Sequence, residues 1–158
     1  LILVVVGTQE LPFTRLLQEV EDLVKTGSIQ EKVLVQNGHT PVEHFSYLDC
    51  TPFFSYEKMD ELYDQARVII SHGGTGSLIT GIKKGKPVIA SARLSKYGEH
   101  NDDHQEEIIA QFVETKHILS SGDLAKDLDS VNEGFLPAPF ESGRKKILNK
   151  LRSFIEDS

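Results

Sequence analysis

Val68-Ile69-Ile70-Ser71-His72-Gly73-Gly74-Thr75-Gly76-Ser77 is the stretch on which the reading of the fold turns. Three β-favouring residues lead into a glycine-rich break, and helix-compatible residues follow as far as Lys84. That order predicts a strand, a tight turn and a helix start. After Gly85-Lys86-Pro87 a second apolar run, Val88 to Ala90, predicts the next strand, and a polar segment follows with Arg93, Glu99, His100, Asp103, His104 and Gln105. Glycines at a strand-to-helix turn let the backbone approach a ligand, and the first N–H groups of a helix have no partner within it. An anion such as a phosphate or pyrophosphate is therefore expected at Gly74 to Ser77, with the Thr75 and Ser77 hydroxyls as further donors. The competing reading is a glycine turn that closes a βα unit and binds nothing.

Outward from this centre, the same alternation repeats. Leu1 to Val6 predicts a buried strand, followed by Gly7-Thr8-Gln9 and a helix through Leu16, Leu17, Val20, Leu23 and Val24 that ends near Gly27. Pro12 near the start and Gly27 past the end fit the usual helix punctuation. Lys32 to Gln36 predicts a second strand and the alternation from His44 to Asp49 a third, broken by Thr51-Pro52. Ser55 is placed to cap a helix carrying Tyr56, Met59, Leu62, Tyr63 and Ala66. Beyond Gln105, Ile108, Ile109, Phe112 and Val113 predict a helix, Ile118-Leu119 a small last strand, and Asp123 to Val131 a short amphipathic helix. Strands alternating with helices predict an α/β fold: a Rossmann-like open, mainly parallel sheet with helices on both faces. Ligands of such sheets sit beyond the carboxyl ends of the strands, and Gly7-Thr8-Gln9, Ser71 to Ser77 and the loop from Ala92 all lie at such ends.

The chain has 158 residues, enough for one domain with a real core. Residues 1–131 are expected to form that domain, with a linker from Asn132 to Pro139 and a C-terminal amphipathic helix opening at Ser142. A net charge of −7 speaks against a nucleic-acid partner, which calls for a basic face. Cys50 is the only cysteine, so no internal disulfide can form and a reducing cytoplasm is expected. Cys50 itself reads as a buried, inert thiol, and His39, His44 and His117 as surface or packing residues. Leu1 to Val6 is too short for a membrane span or a signal segment.

Several chemistries can be set aside. A dinucleotide-binding turn would follow the first strand, with an acidic residue ending the next one, and here Ser91 stands at the end of Val88-Ile89-Ala90. A P-loop fails because Pro87 follows Gly85-Lys86 where a hydroxyl residue would hold magnesium. His100 and His104 stand four apart with Asp102 and Asp103 between them, but the segment opens on Gly98 and looks like a helix N-terminus capped by Asp102 or Asp103. A loop that hydrogen-bonds a polyhydroxylated ligand suits its carboxylate, amide and imidazole groups better than a metal does.

Taken together, Val6-Gly7-Thr8-Gln9 with Pro12-Phe13 and Arg15-Leu16-Leu17, Ser71 to Ser77, Gly85-Lys86-Pro87-Val88, Ala92-Arg93 and Tyr97 to Gln105 resemble the donor-binding subunits of two-component, family 28-type glycosyltransferases. The resemblance extends to about Phe112 and is similar to the cytosolic subunit of the eukaryotic dolichol-linked chitobiose synthase. The Gly98-Glu99-His100-Asn101-Asp102-Asp103-His104-Gln105 run points to the bacterial capsule and exopolysaccharide branch. The resemblance implies the C-terminal half of a GT-B fold. It implies a UDP-sugar donor, no metal or other cofactor, and a separate membrane-associated subunit that brings a lipid-linked saccharide acceptor. The chain would then be cytoplasmic and peripheral at the membrane through that partner. Gly74 to Ser77 would hold the diphosphate; Glu99, His104 and Gln105 would face the sugar; and Gly7, Thr8 and Gln9 would line the cleft. His72, Gly73, Thr80 and Arg93 complete the expected donor-binding set. One position departs from the pattern: a ribose-binding Glu is usual late in the helix after the turn, and Thr80 stands there, followed by Gly81.

The reaction so implied is an inverting transfer of a hexose or N-acetylhexosamine. It needs a base for the acceptor hydroxyl, to be sought in the partner or among His72, Glu99 and His104. A different class of function is a non-catalytic subunit that enhances or stabilises a partner transferase without binding the donor, and Thr80 keeps it open. A free-standing sugar-nucleotide enzyme such as an epimerase is disfavoured by the missing dinucleotide signature. The C-terminal segment, with Lys145, Lys146, Lys150 and Arg152 beside an apolar stripe, is expected to dock the partner, with packing on the domain or contact with a membrane surface as the alternatives.

Overall fold

The computed structural model describes residues 1–140. The expected C-terminal helix from Ser142, and with it the docking role of its lysines, lies outside the described residues.

Five strands form one parallel sheet: β1 (Ile2–Val5), β2 (Val33–Gln36), β3 (Asp49–Thr51), β4 (Val68–His72) and β5 (Val88–Ser91). Their spatial order is β3-β2-β1-β4-β5, so the order reverses between β1 and β4. Register is set by side-chain alternation. Ile2 and Val4 of β1 face one side with Val33, Val35, Val68 and Ile70, while Leu3 and Val5 face the other with Ile69, Val88 and Ala90. A one-residue slip would exchange these two sets. Strands buried on both faces account for the near-continuous apolar runs in the sequence.

Two layers of helices cover the sheet. Helix α1 (Thr14–Lys25) and helix α5 (Leu124–Asn132) pack on one face through Leu16, Leu17, Val20, Leu124, Leu128 and Val131. On the other face, helix α2 (Tyr56–Gln65), helix α3 (Thr75–Lys83) and helix α4 (His104–Glu114) contribute Leu62, Tyr63, Leu78, Ile82, Ile109 and Phe112. Full burial of each such side chain is worth about 1.5–3 kcal/mol. Ser55 caps α2 by accepting the Lys58 N–H (3.2 Å), and Asp123 caps α5 by accepting the Lys126 N–H (3.2 Å). No described helix is long and apolar enough to cross a membrane.

The third strand is displaced from its expected place. Residues 43–47 form turns, and pairing with β2 begins only at Asp49, with Asp49, Cys50 and Thr51 opposite Leu34, Val35 and Gln36. The alternation from His44 arose because Phe45 is buried, yet Phe45 reaches the core from a turn in which its N–H meets the Val42 carbonyl (3.0 Å). Thr51 is thus a strand residue, and the break comes at Pro52. The small last strand shrinks to one parallel bridge, Ile89 to Leu119, with Leu119 bonded to Val88 and Ala90 at 2.9 Å each.

Candidate functional site

The carboxyl ends of β1, β4 and β5 converge on His72. The last residue of β4, it is buried between the turns that leave β1 and β4. Gly7, with φ +88°, lies so near the ring that an added Cβ would come within 2.5 Å of Nε2, and a Cβ on Gly74 would also strike the ring. Both glycines are needed for His72 to occupy the switch point. Gln36, at the end of β2, holds Gly7 in place: its Oε1 accepts the Gly7 N–H (2.9 Å) and its Nε2 donates to the Gly7 and Pro52 carbonyls (3.0 and 2.8 Å). Gln36 is not among the residues that the sequence motifs single out. The available signal was a polar side chain closing an apolar strand beside the crevice.

Helix α3 opens at Gly74, and Thr75, Gly76 and Ser77 form its first turn. No side chain caps it, so its first N–H groups stay available for an anion. The His72 Nε2 lies 3.3 Å from Ser77 Oγ. Burial, followed by the charge of Arg93 and then of His100, pushes the His72 imidazole down to about 3, so it is neutral at physiological pH. A neutral ring and uncapped N–H groups offer an incoming anion hydrogen-bond donors.

Gln105, in the first turn of α4, ties three loops together. Its Oε1 accepts the Gly73 N–H (2.9 Å) and the Arg93 N–H (3.0 Å), and its Nε2 reaches His72 Nδ1 (3.3 Å). Gly73 permits this approach, since a Cβ there would sit 2.7 Å from the Gln105 Cβ. Both ends of the amide are committed within the protein, and the side chain is buried, so the structure places Gln105 beneath the site, where the sequence reading had it facing the sugar.

Arg93 and Glu99 are also placed differently from expectation. Arg93 is wholly buried; its guanidinium donates to the carbonyls of Val6 (2.7 Å), Leu11 (2.7 Å) and Glu99 (3.0 Å) and lies over the Phe13 ring at 5.1 Å. It fastens the loop after β1 to the loop after β5 and offers no surface to a donor. Burial lowers it to about 10, opposed by Glu99, so it stays cationic. Glu99 is buried and accepts both Arg15 Nη2 (2.9 Å) and Nε (3.2 Å), while its Oε1 also takes the Leu94 N–H (3.0 Å). Arg15 completes the assembly by donating to the Ala92 carbonyl (2.9 Å) with its guanidinium 4.9 Å from the Tyr97 ring. These side chains build the rim of the crevice and leave its surface to others.

Thr8 and Gln9, which follow Gly7 at the end of β1, are exposed, and Gly74, Thr75 and Ser77 are partly exposed at the start of α3, with Gly76 exposed. His104 is exposed, its Nδ1 3.8 Å from Asp102, which also receives the His104 N–H (3.0 Å) and stands 3.2 Å from His100 Nδ1. The N-cap position of α4 is Asp103, whose side chain makes no capping bond and instead accepts the Ser95 N–H and hydroxyl (2.8 and 3.0 Å), so the expected cap by Asp102 or Asp103 is replaced by the Asp102 contact to the His104 N–H. Among the described residues no three His, Cys, Asp or Glu side chains gather as a metal site. Thr80 spends its hydroxyl proton on the Gly76 carbonyl (2.8 Å), which leaves only acceptor capacity toward a ligand.

Two cavities adjoin this region. The larger, about 600 Å³, lies beside β5 between α1, α4 and α5, and Glu19, Glu106, Glu114, Asp123 and Asp127 line it. Arg15 lines it as well, so five carboxylates against one guanidinium make this space unfavourable for a diphosphate. The smaller, about 200 Å³, runs between α2 and α3 and is lined by Gly76 and Ser77 of the glycine turn and by Thr80 one helical turn further on. Tyr56, its outermost wall, is 86% exposed, and Phe53 in the preceding loop is 51% exposed. The sequence pattern puts Tyr56 on the same side of α2 as Leu62 and Tyr63, but the structure turns it outward, where its face is open to a flat ring, while Phe53 meets His39 edge-on at 5.3 Å. Away from the site, burial pushes the half-buried Cys50 thiol up to about 11, in keeping with an inert residue. His39 and His44 are exposed, and His117 is buried against Thr115.

A five-stranded parallel sheet covered by helices on both faces, with its crevice at the β1/β4 switch point, defines the Rossmann-like C-terminal half of the GT-B glycosyltransferase fold. The chain belongs to the glycosyltransferase family 28 C-terminal domain family, which it matches over residues 1–157. Among its relatives is the UDP-N-acetylglucosamine transferase subunit ALG13 of Yarrowia lipolytica, 35% identical over 88 residues, covering 52% of this chain and 39% of that protein. The protein of the same name from Saccharomyces cerevisiae is 29% identical over 94 residues, covering 60% of this chain and 41% of the relative. The matched region thus spans about two fifths of these relatives. Of solved structures, the solution structure of ALG13 superposes with a TM-score of 0.57 at 21% identity, covering 92% of this chain and 94% of that one. MurG of Acinetobacter baumannii gives 0.55 at 17% identity, covering 82% of this chain and 40% of that one.

Proposed function

We propose that the chain is the donor-binding subunit of a two-component inverting glycosyltransferase that takes a UDP-sugar, with UDP-N-acetylglucosamine the first candidate. The observation that carries this reading is the uncapped start of α3 beside a buried, neutral His72 at the switch point of a family 28 domain. The diphosphate sits on the N–H groups of Gly74 to Ser77, the nucleoside lies along the α2/α3 groove by Thr80 and Tyr56, and the sugar points toward Thr8, Gln9 and His104. Charge developing on the leaving diphosphate is met by fixed N–H and hydroxyl dipoles, which need no metal. The acceptor, a lipid-linked saccharide, comes from a membrane-associated partner, which keeps this chain at the cytoplasmic membrane surface. The names of the yeast relatives, both transferase subunits, support a heteromeric enzyme. A bacterial capsule or exopolysaccharide setting rests on the Gly98-to-Gln105 motif alone.

A second reading is favoured by two observations: Thr80 stands where a ribose-binding carboxylate is usual, and Glu99 is consumed by Arg15. The chain then strengthens a partner transferase without holding the donor. Calorimetric titration with UDP and UDP-N-acetylglucosamine, metal-free and then with magnesium, separates the two. Metal-independent binding supports the donor subunit. No binding, alone or in the complex co-expressed with the partner, supports the enhancer.

A further inference from the structure

Hydrogen-bond direction at the centre of the site is fixed by groups whose polarity is not open to choice. Backbone N–H groups only donate, so the Gln105 atom that receives those of Gly73 (2.9 Å) and Arg93 (3.0 Å) must be the amide oxygen. The other end of that amide is therefore NH2, and it stands 3.3 Å from His72 Nδ1. An NH2 donates, which makes Nδ1 the acceptor and puts the ring proton on Nε2. The Nε2–H then points at Ser77 Oγ, 3.3 Å away. A serine hydroxyl that accepts in this way keeps its own proton for a further acceptor. The chain of donors runs one way, from Gln105 through His72 and Ser77 to the mouth of the α3 N-terminus.

We propose that Gln105 is a positioning residue that fixes His72 as the neutral Nε2–H tautomer, so that His72 and Ser77 together present a donor to the diphosphate and His72 cannot act as the base. The part that concerns the diphosphate rests on the donor-subunit reading; the tautomer does not. The neutral state of the buried ring agrees with this arrangement, because a cationic ring would need Nδ1 to donate into an NH2 group. With Glu99 held by Arg15, the acceptor's proton must pass to a group other than these two, either His104 or a residue of the partner.

The test is nitrogen-15 NMR of the imidazole rings in the intact chain, with the His72 signals identified by their loss in His72→Gln. The expected result is a His72 with Nδ1 unprotonated and Nε2 protonated throughout the neutral range. In Gln105→Glu a carboxylate can keep both backbone N–H bonds but offers Nδ1 an acceptor, so the proton moves to Nδ1 or the ring becomes cationic. Where the proton moves to Nδ1 alone, UDP affinity should fall about tenfold, the scale of one lost charge-assisted hydrogen bond, whereas a cationic ring keeps its Nε2–H and should bind UDP no more weakly. An Nδ1–H tautomer in the wild-type chain overturns the proposal, even if the variant does not fold. A tautomer unchanged by Gln105→Glu overturns the role of Gln105. A changed tautomer with unchanged UDP affinity overturns the diphosphate role. Wild-type chain that shows the Nε2–H tautomer and binds no UDP overturns the diphosphate role together with the donor reading, and leaves the tautomer assignment standing.

Discussion

Arg15 on α1 grips Glu99, 84 residues later in the chain, through two hydrogen bonds of 2.9 and 3.2 Å. The carboxylate is buried while the guanidinium is about one third exposed, so the pair is best understood as a latch on the loop that follows β5. Removing the cation strands a buried charge. Arg15→Ala is expected to cost about 2 kcal/mol, discounted from the larger values of fully buried pairs because water reaches Arg15. Glu99→Gln, which retains an oxygen for the Leu94 N–H, should cost less. Urea unfolding of both variants checks the order; a larger loss for Glu99→Gln would contradict it.

Arg93→Lys is predicted to be far from conservative. The planar guanidinium serves three carbonyls from two nitrogens while lying over Phe13, and an ammonium on a thinner stem cannot match that fork. A loss of about 2–4 kcal/mol is expected from the unmatched carbonyls and the lost packing. Thermal unfolding of the variant measures it, and a melting temperature equal to wild type would show that the loops do not depend on this contact.

Acid should weaken the fold through His72. Its folded value of about 3 lies below the ordinary 6.5, so over that interval the unfolded chain binds a proton that the folded chain refuses. Above 6.5 the fold keeps its full stability; below it, this residue alone removes about 1.4 kcal/mol per pH unit until the folded value is reached. The carboxylates titrate in the same range, so the informative quantity is the difference between wild type and His72→Gln. That difference should move against the wild type as pH falls from 6.5. Parallel curves would mean that the ring accepts a proton without penalty.

The sheet and its crevice could be read from residue order because apolar runs, glycine turns and caps are local signals. Val68 to Ser77 announces a strand, a turn and a helix within one stretch, and the structure places each of them there. What order could not supply was direction. Glu99, Arg93 and Gln105 have the chemistry of ligand-binding residues, and nothing along the chain says that Arg15, Phe13 and Gly73 will occupy them from inside. Gln36 was overlooked for the same reason, since its partners Gly7 and Pro52 lie on other elements. The third strand was misplaced because a buried Phe45 in a turn imitates the alternation of a strand edge.

The proposed function stands or falls on a diphosphate bound at the start of α3. Ser77→Asp tests it most directly: a carboxylate in the first turn suits the helix dipole and should leave the fold stable, but it would stand where the phosphates bind. Metal-free calorimetry is expected to show UDP binding to the wild-type chain and a loss of at least about tenfold in this variant, with its melting temperature preserved. Equal UDP affinity in the two proteins would contradict it.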